Sequence, residues 1–362
     1  MRLKIIFLLP VFCLCSVIGR GQVAWDLTST MTAILTDKGV LTVRTTKSAE
    51  AMPNFSVSAY SSSVPWYNLR AGIFSVVIES GISSIGNNVF RDCGNLTSIA
   101  IPNTVTTIGD YAFYNCSVLT FLTLPNSITT IGGSAFYNCR SLVSVTIPNA
   151  VTTIGDDAFR GCIGLSSVTI GNSVKTIGAS AFSGCSRLHS VAIPNSVTTI
   201  GGGAFGNCTG LTSVTIPNAV TSIGTSAFQN CKGLKDVTVQ WNMPLAVPND
   251  VFRDVTTSNV TLHVPAGTEF FYQTAAVWMF FIVTSNPVGV ENVVLPPLKA
   301  NAANGIMHLT GLRPGEQVSI YTLTGHLIYQ GIAKAEEAYV PIGGHGVCIA
   351  VAGKRSVKVF AD

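Results

Sequence analysis

The stretch IPNSVTTIGGGAFGNCTGLTSVT, residues 193–215, decides the fold, because the chain repeats it every 23 residues. Seven copies follow one another without a gap over residues 78–238, and Val239 opens a degenerate eighth. The seven copies begin at Ile78, Ile101, Leu124, Ile147, Ile170, Ile193 and Ile216. Self-similarity at a fixed period of about 20 to 50 residues is the signature of a solenoid or a similar repeat array. The sequence therefore predicts a stack of coils.

Each copy follows the template LxxVxIPNxVxxIGxxAFxxCxx, which divides a coil into three sides. The Leu, Val and Ile of the first six positions alternate as a short, half-buried strand does. The Pro-Asn pair turns the chain, since proline has no N–H for a sheet ladder, and a second extended side ends at a corner glycine. The Ala-Phe pair and the Cys have the i, i+1, i+4 spacing of one short helical turn. This pattern predicts a β-rich solenoid with a leucine-rich-repeat cross-section.

The phenylalanine and the cysteine of the template are predicted to form the core of the array. A single copy buries about six large apolar side chains at roughly 1.5–3 kcal/mol each, whereas ordering a residue costs roughly 1.5 kcal/mol. One coil alone is therefore unstable, and stacking must bury both of its faces. The predicted core residues are Phe113, Phe136, Phe159, Phe182, Phe205, Phe228, Cys116, Cys139, Cys162, Cys185, Cys208 and Cys231.

The cysteines are evenly spaced and odd in number within the repeats, which is not the pattern of a disulfide framework. In the degenerate eighth copy, Val255 takes the cysteine position. A free cysteine behaves as a small buried hydrophobe. We therefore interpret this column as packing rather than as redox or metal chemistry.

Composition limits the function classes. The chain has 362 residues, of which 47% are hydrophobic and 10% charged, so it is too apolar to be disordered. Its net charge is +4, but no basic stripe is present, which disfavours nucleic acid as a partner.

Residues 1–21 are predicted to be a signal peptide. Arg2 and Lys4 form a charged start, and residues 5–18 are an apolar run that is shorter than the ~20 residues of a membrane-spanning helix. Cleavage is expected near Gly19 or Gly21, which gives a mature start near Gln22. A lipoprotein signal is the alternative, although both cysteines of this segment follow large residues where a lipobox has a small one. The other apolar stretches are too short to span a bilayer, so we predict an exported protein without a transmembrane span.

Residues 22–77 lack the repeat and are predicted to form an N-terminal β cap. The run 40–43 reads as one arm of a hairpin. Trp25, Trp66 and Tyr67 are predicted to cover the first coil, because the exposed end of a repeat array is a hydrophobic surface that needs a cap.

Residues 239–285 are predicted to be a degenerate repeat followed by a helical C-terminal cap. The predicted helix covers residues 268–280, with Thr268 as N-cap and Glu269 in its first turn. Its many aromatic residues would close the last coil. Membrane insertion is the alternative, which the charge and the short length disfavour.

Residues 286–297 are predicted to be a proline-rich linker, and residues 298–362 a small antiparallel β-sandwich. Turn residues separate its strand-like runs. Those runs are residues 306–309, 317–321, 327–329, 347–351 and 356–360.

The repeat IPNSVTTIGGGAFGNCTGL resembles that of the BspA-like leucine-rich-repeat family, as do the flanks VPWYNLR and TLHVPAGTEFFYQTAAVW. This resemblance implies a secreted or cell-surface solenoid, with adhesion to host matrix or to other bacteria as the activity of some members. The tail segments VSIYTLTGHLIYQG and GHGVCIAVAGKRSVKVF more loosely resemble a type IX secretion sorting domain, although Cys348 stands where that family usually has an aromatic residue. This second resemblance implies that the protein is located on the surface or outside of a Gram-negative bacterium, with the periplasm as an alternative location.

No catalytic or cofactor-binding motif is found. The histidines His189, His263, His308, His326 and His345 are scattered without metal-ligand spacing. The pair Asp156-Asp157 is interpreted as a solvated corner. We therefore expect no enzyme activity and no cofactor.

Two surface columns remain as candidate binding sites. One is the Ser/Thr-rich strand face, which carries Phe121 and the nearby His189. The other follows the Ala-Phe pair and consists of Arg91, Tyr114, Tyr137 and Arg160, residue types that are enriched at protein interfaces. The alternative is that these are ordinary variable positions. The two hypotheses are a surface module that binds a protein or a glycan, and a structural spacer without a dedicated ligand.

Overall fold

A computed structural model describes two compact units. The first comprises Met1–Val237 and Val247–Thr257, and the second Thr238–Ala246 and Ser258–Asp362. The described residues are 15–19, 21–58, 62–285, 298–312, 316–343, 346–352 and 355–360. Most of the predicted signal peptide and the whole predicted linker 286–297 lie outside them. No helix among the described residues is long and apolar enough to cross a membrane.

The first unit begins with an antiparallel sheet in which each strand pairs with the next. Its strands are β1 (Cys15–Gly19), β2 (Gln22–Asp26), β3 (Met31–Leu35) and β4 (Val40–Thr45), followed by the short β5 (Glu50–Ala51) and a 3-10 helix, Tyr67–Gly72. Strand β1 falls within the predicted signal peptide. Strand β4 pairs in parallel with β6 (Ser75–Ile78), the strand that leads into the first repeat. The cap sheet thus continues directly into the solenoid.

Two tryptophans cover the first coil from within this cap. Trp66 is 1% exposed, its ring lies 5.8 Å from that of Trp25, and it stacks on Phe90 at 6.1 Å. The indole N–H of Trp66 donates to the carbonyl of Val89 at 3.1 Å. Tyr67 does not share this role, because it stays partly exposed under the guanidinium of Arg70.

Strands β6–β19 lie on two sides of the coils and alternate between them, except that β9 and β10 are both on the second side. The first side contains β6, β8 (Ser98–Ala100), β11 (Ser144–Thr146), β13 (Ser167–Thr169), β15 (Ser190–Ala192), β17 (Ser213–Ile216) and β19 (Asp236–Val239). The second contains β7 (Ile82–Ile85), β9 (Thr107–Ile108), β10 (Thr130–Ile131), β12 (Thr153–Ile154), β14 (Thr176–Ile177), β16 (Thr199–Ile200) and β18 (Ser222–Ile223). Parallel pairing joins equivalent residues, such as Ser144 with Ser167 and Thr176 with Thr199. This register confirms the predicted solenoid of 23-residue coils.

The third side differs in detail from the predicted helical turn. Tyr111, at φ 57°, and Asn115, at φ 59°, flank Phe113. The N–H of Phe113 donates to Ala135 of the next coil at 2.7 Å, whereas the N–H of Cys116 turns back to the carbonyl of Phe113 at 3.2 Å. A regular helix would direct every N–H along its own axis. The left-handed residues reverse alternate peptides, so this side also bonds one coil to the next.

Stacked phenylalanine rings run through the core of the first unit. Neighbouring rings are 5.2–5.5 Å apart and within 20° of parallel. The stack consists of Phe90, Phe113, Phe136, Phe159, Phe182, Phe205, Phe228 and Phe252. Because every ring contacts one from the next coil, the core is continuous between coils.

The second unit begins with parallel strands that enclose a short helical segment. The elements are β20 (Thr261–Val264), α1 (Glu269–Thr274), a 3-10 helix (Trp278–Phe280) and β21 (Ile282–Ser285). The helix is therefore shorter than the predicted 268–280. Thr268 was predicted to cap it, but its hydroxyl donates to the carbonyl of Pro265 at 2.7 Å and makes no capping bond. Its own backbone already has helical angles, φ −109° and ψ 0°, unlike the extended backbone of a usual N-cap.

Part of the predicted aromatic cluster anchors this segment. The hydroxyl of Tyr272 donates to the carbonyl of Trp241 at 2.6 Å, and the indole N–H of Trp278 donates to that of Leu245 at 2.8 Å. Both side chains therefore hold the segment against the start of the degenerate copy. Phe280, in contrast, is 60% exposed.

The C-terminal part of the second unit consists of two antiparallel sheets, which confirms the predicted fold class. Their orders are β22-β23-β26 and β25-β24-β27-β28. The strands are β22 (Lys299–Ala303), β23 (Ile306–Thr310), β24 (Gln317–Thr322), β25 (Leu327–Ile332), β26 (Glu337–Pro341), β27 (Val347–Ala352) and β28 (Arg355–Phe360). Met307, Leu309, Ile320 and Cys348 lie in their shared core. Strands β22 and β26 were not predicted.

Candidate functional site

The cysteine column is part of the core and carries no reactive centre. All cysteines of the column are buried and free. The thiol of Cys162 donates to the carbonyl of Phe136, in the preceding coil, at 3.2 Å. The thiols of Cys116, Cys139, Cys185, Cys208 and Cys231 make the equivalent bond at 3.1–3.3 Å. Burial raises the pKa of the Cys162 thiol to about 12, which removes its nucleophilic form at neutral pH.

The histidines remain apart. His189 is exposed on the strand side of the repeats, whereas His308 stacks on Tyr339 at 4.3 Å and lies 3.0 Å from Glu337 in the second unit. His345 lies outside the described residues. Across the described part of the chain, no group of three or more histidine, cysteine, aspartate or glutamate residues is placed to hold a metal ion.

The structure brings Arg91, Tyr114, Tyr137 and Arg160 together in one column. Each side chain follows the buried phenylalanine of its coil, so equivalent positions lie above one another. The rings of Tyr114 and Tyr137 stack at 4.7 Å with an angle of 11°. The guanidinium of Arg91 lies 4.3 Å from the centre of the Tyr114 ring, and that of Arg160 lies 5.8 Å from that of Tyr137. Cation–π contact thus closes both ends of the aromatic pair.

Tyr111 is a fifth member that was missed in the sequence. Its ring is 5.8 Å from that of Tyr114, and the guanidinium of Arg91 lies 5.3 Å from its centre. Tyr111 is 40% exposed. The sequence did contain a signal for Tyr111, because a residue three positions before Tyr114 can lie beside it across a turn. We call Arg91, Tyr111, Tyr114, Tyr137 and Arg160 the tyrosine–arginine column.

Carboxylates hold the two arginines in place. Arg160 pairs with Asp157 at 3.0 Å, and this hydrogen bond raises the pKa of the guanidinium. The Nε of Arg91 lies 3.6 Å from a carboxylate oxygen of Asp92, and it is buried without a hydrogen-bond partner among the described residues. Burial, and then the neighbouring Tyr137, raise the pKa of the Tyr114 phenol, so the hydroxyl stays protonated at neutral pH. The column therefore presents donors in fixed positions.

A ladder of asparagines supports the column. The side-chain amide of Asn115 donates to Asp92 at 2.9 Å, and that of Asn138 donates to Asn115 at 3.1 Å. Both asparagines have positive φ, a conformation that asparagine tolerates better than most residues. The ladder fixes the backbone directly below Tyr114 and Tyr137, so the column is preorganised.

Phe121 and His189 share the Ser/Thr-rich strand side but do not form one site. Phe121 is 72% exposed, and the two residues are three coils apart. At about 4.8 Å per coil, that separation is roughly 14 Å. We therefore treat Phe121 separately from His189.

Comparisons with known proteins identify the repeats. The family model described as BspA type leucine rich repeat region matches residues 67–188 and 129–257, which together cover more than half of the chain. A leucine-rich repeat protein from Bacteroides ovatus is 25% identical over 66% of this chain and 70% of its own, with a TM-score of 0.46. The T. pallidum leucine rich repeat protein is 26% identical over 57% of this chain and 89% of its own, with a TM-score of 0.43.

A leucine rich cell surface protein from Faecalibacterium prausnitzii is 21% identical over 74% of this chain and 95% of its own, with a TM-score of 0.41. No curated protein matches the chain. The assignment therefore rests on the repeat model, whose matched residues span the strands and the stacked phenylalanines of the solenoid. On that ground the chain belongs to the BspA-type leucine-rich-repeat family.

Proposed function

We propose that this protein is a non-enzymatic, exported surface module that binds a protein or a glycan on a host or bacterial surface, as an adhesin does. The tyrosine–arginine column is the observation that carries this proposal. Tyrosine and arginine are enriched among residues that dominate binding energy. Their mutual stacking lowers the entropy lost on binding, because the side chains are ordered beforehand.

Export is supported by the sequence and by the family. Residues 1–21 have the pattern of a signal peptide, and one structural neighbour is described as a cell surface protein. The tail's resemblance to a type IX sorting domain favours the outer surface of a Gram-negative bacterium. Since BspA-type repeats are a non-enzymatic family, binding is the activity that such a surface offers.

The second candidate is a structural spacer with no dedicated ligand. Several threonine hydroxyls donate to the carbonyl of the coil before them, as Thr106 does to Ser83 and Thr198 to Lys175, both at 3.2 Å. These residues satisfy the backbone of the array, so they need no partner. This observation favours a solubilising surface over the rest of the array.

A binding assay with a matched control separates the two candidates. The protein, its Tyr114→Ser/Tyr137→Ser variant and a Gln229→Ser/Arg253→Ser control are tested against immobilised extracellular matrix proteins and a glycan array. The control changes the equivalent positions near the other end of the repeats. We expect saturable binding that weakens at least tenfold in the tyrosine variant only, with unchanged circular dichroism. If neither the matrix proteins nor the glycans bind saturably, the structural spacer is the correct function.

A further inference from the structure

The parallel ladder on the strand side is interrupted at two places among the described residues, at residues 121–124 and between β13 and β15, and only at the first does a coil contribute no strand. Strand β8 is the last strand of its sheet, and the following coil contributes no strand to this side. Phe121 pairs with Ser144 through a single isolated bridge. One coil later, in contrast, Ser144–Thr146 pairs with Ser167–Thr169 at all three positions. The segment 121–124 is thus incompletely joined to the coils beside it.

The sequence of this coil is less suited to a strand than that of the next coil. It reads FLTL where the next coil reads SVTI. Leu122 and Leu124 are buried in place of β-branched residues, which fit a pleated sheet better.

A depression of about 270 Å³ lies at the first interruption. It is smaller than the roughly 300–1,000 Å³ of a cleft for a drug-sized ligand, which suits one small ring. One side is Phe121, and the hydroxyls of Thr123, Ser144 and Thr146 are exposed around it. Its lining residues are Phe121, Leu122, Thr123, Leu124, Ser144, Val145 and Thr146, none of which is charged.

We propose that this depression binds one unit of a neutral saccharide. The negative π face of Phe121 attracts the polarised C–H groups on the face of a pyranose ring. The sugar hydroxyls donate to and accept from the threonine and serine hydroxyls. A hydrocarbon side chain would leave those polar groups without partners, and an ionic ligand would find no opposite charge in the lining. A neutral sugar matches both requirements.

This inference names one of the two ligand classes of the proposed function, but it depends on a different surface. Phe121 lies on the strand side of its coil, whereas the tyrosine–arginine column lies on the side that carries the buried phenylalanine. The two sites can therefore fail separately, and the Tyr114→Ser/Tyr137→Ser variant is expected to keep its saccharide binding.

The test uses an array of neutral oligosaccharides, followed by saturation-transfer NMR titration of the full chain with the strongest ligand. The variant Phe121→Ser/Leu122→Val/Leu124→Ile replaces the FLTL sequence of this coil by the regular SVTI sequence. We expect at least a tenfold loss of affinity, with an equal or higher melting temperature because β-branched residues fit a pleated backbone better than leucine. Phe121→Ser alone should also lose affinity, and this single variant provides the test if the triple variant does not fold. Phe74→Ser is the control, because Phe74 is 48% exposed beside β6 but does not line the depression.

Three outcomes would overturn the proposal. They are the absence of saturable binding to any neutral saccharide, binding restricted to charged glycans, and an affinity that the Phe121 variants leave unchanged. Loss of affinity in the Phe74→Ser control to the same extent would also contradict it, since the ligand would then lie elsewhere on the strand side.

Discussion

At the residue scale, the cysteine of the repeat does more than fill space. Each thiol beyond the first coil donates to the carbonyl of the phenylalanine in the preceding coil, as Cys139 does to Phe113 at 3.3 Å. That carbonyl already accepts the N–H of Cys116, in its own coil. A carbonyl oxygen has two lone pairs, so one phenylalanine carbonyl is bonded both within its coil and from the next. Cysteine therefore combines the volume of a small hydrophobe with a weak donor.

Thiol reactivity tests this assignment. Burial raises the pKa of Cys93, Cys162 and Cys231 to about 12. A thiol with that pKa is ionised to only about one part in 10⁴ at pH 8, and the thiolate is the reactive form. We expect the native repeats to take up no iodoacetamide at pH 8, as read by intact mass, and to be labelled fully in guanidinium. Rapid labelling of the native protein would show that the column is accessible and reactive.

At the element scale, the side that carries the buried phenylalanine depends on residues with positive φ. On this side, backbone N–H groups donate alternately within their own coil and to the next coil. Reversing the direction of alternate peptides needs two left-handed residues per coil. Asn138, at φ 56°, and Gly161, at φ 73°, are equivalent positions in adjacent coils. Asparagine supplies a ladder bond in addition to this conformation, whereas glycine supplies the conformation alone.

Substitution of Asn138 separates these two contributions. Asn138→Gly removes the amide bond to Asn115 but keeps the backbone unstrained. Asn138→Val removes the same bond and adds a β-branched side chain in the left-handed region, which costs about 1–2 kcal/mol. We expect the valine variant to unfold at lower denaturant concentration than the glycine variant. Equal midpoints would mean that this backbone conformation is not under strain.

The phenylalanine stack provides a second test at this scale. Phe159 is fully buried between Phe136 at 5.2 Å and Phe182 at 5.4 Å. Phe159→Asp places an unpaired charge in the core, which is far more costly than losing the ring. We expect loss of cooperative unfolding by circular dichroism. Phe121→Asp is the control at an exposed phenylalanine, and it should retain the native melting curve; a stable Phe159→Asp variant would contradict the core assignment.

At the scale of the whole molecule, export and the C-terminal part remain predictions. The second unit joins the helical segment to the C-terminal strands, since the hydroxyl of Ser356 donates to the carbonyl of Gly267 at 2.6 Å and Phe271 lies 5.9 Å from Tyr321. The C-terminal sheets therefore pack on the helical segment that follows the degenerate repeat. Their proposed sorting role is a separate matter from this packing.

Deletion of residues 300–362 tests both roles. The first unit has its own continuous core, so we expect the truncated chain to keep a cooperative melting transition. We also expect it to remain in the periplasm, while the full chain reaches the outer surface with a mature start near Gln22, as measured by cell fractionation and mass spectrometry. Surface delivery of the truncated chain would show that the tail is not a sorting signal.

Much of this fold follows from local pattern, but not every element does. The short helical turn was an incorrect detail, because the Ala-Phe-Cys spacing does not reveal that the flanking residues adopt positive φ. Strands β22 and β26 were missed because Lys299–Ala303 is rich in alanine and Glu337–Pro341 is partly charged, and both have weak strand propensity. Both segments form strands because they pair with Ile306–Thr310, a tertiary contact that the local sequence does not reveal.

The sequence by itself determined the period, the coil and the core, because a 23-residue repeat places the same residue on the same side of every coil. It also placed Arg91, Tyr114, Tyr137 and Arg160 in one column. Only the tertiary structure decided that their rings stack, that Tyr111 joins them, and that the ladder opens beside Phe121. These features depend on distances between residues of neighbouring coils. Such distances are set by how one coil packs on the next, and periodicity within a coil does not contain them.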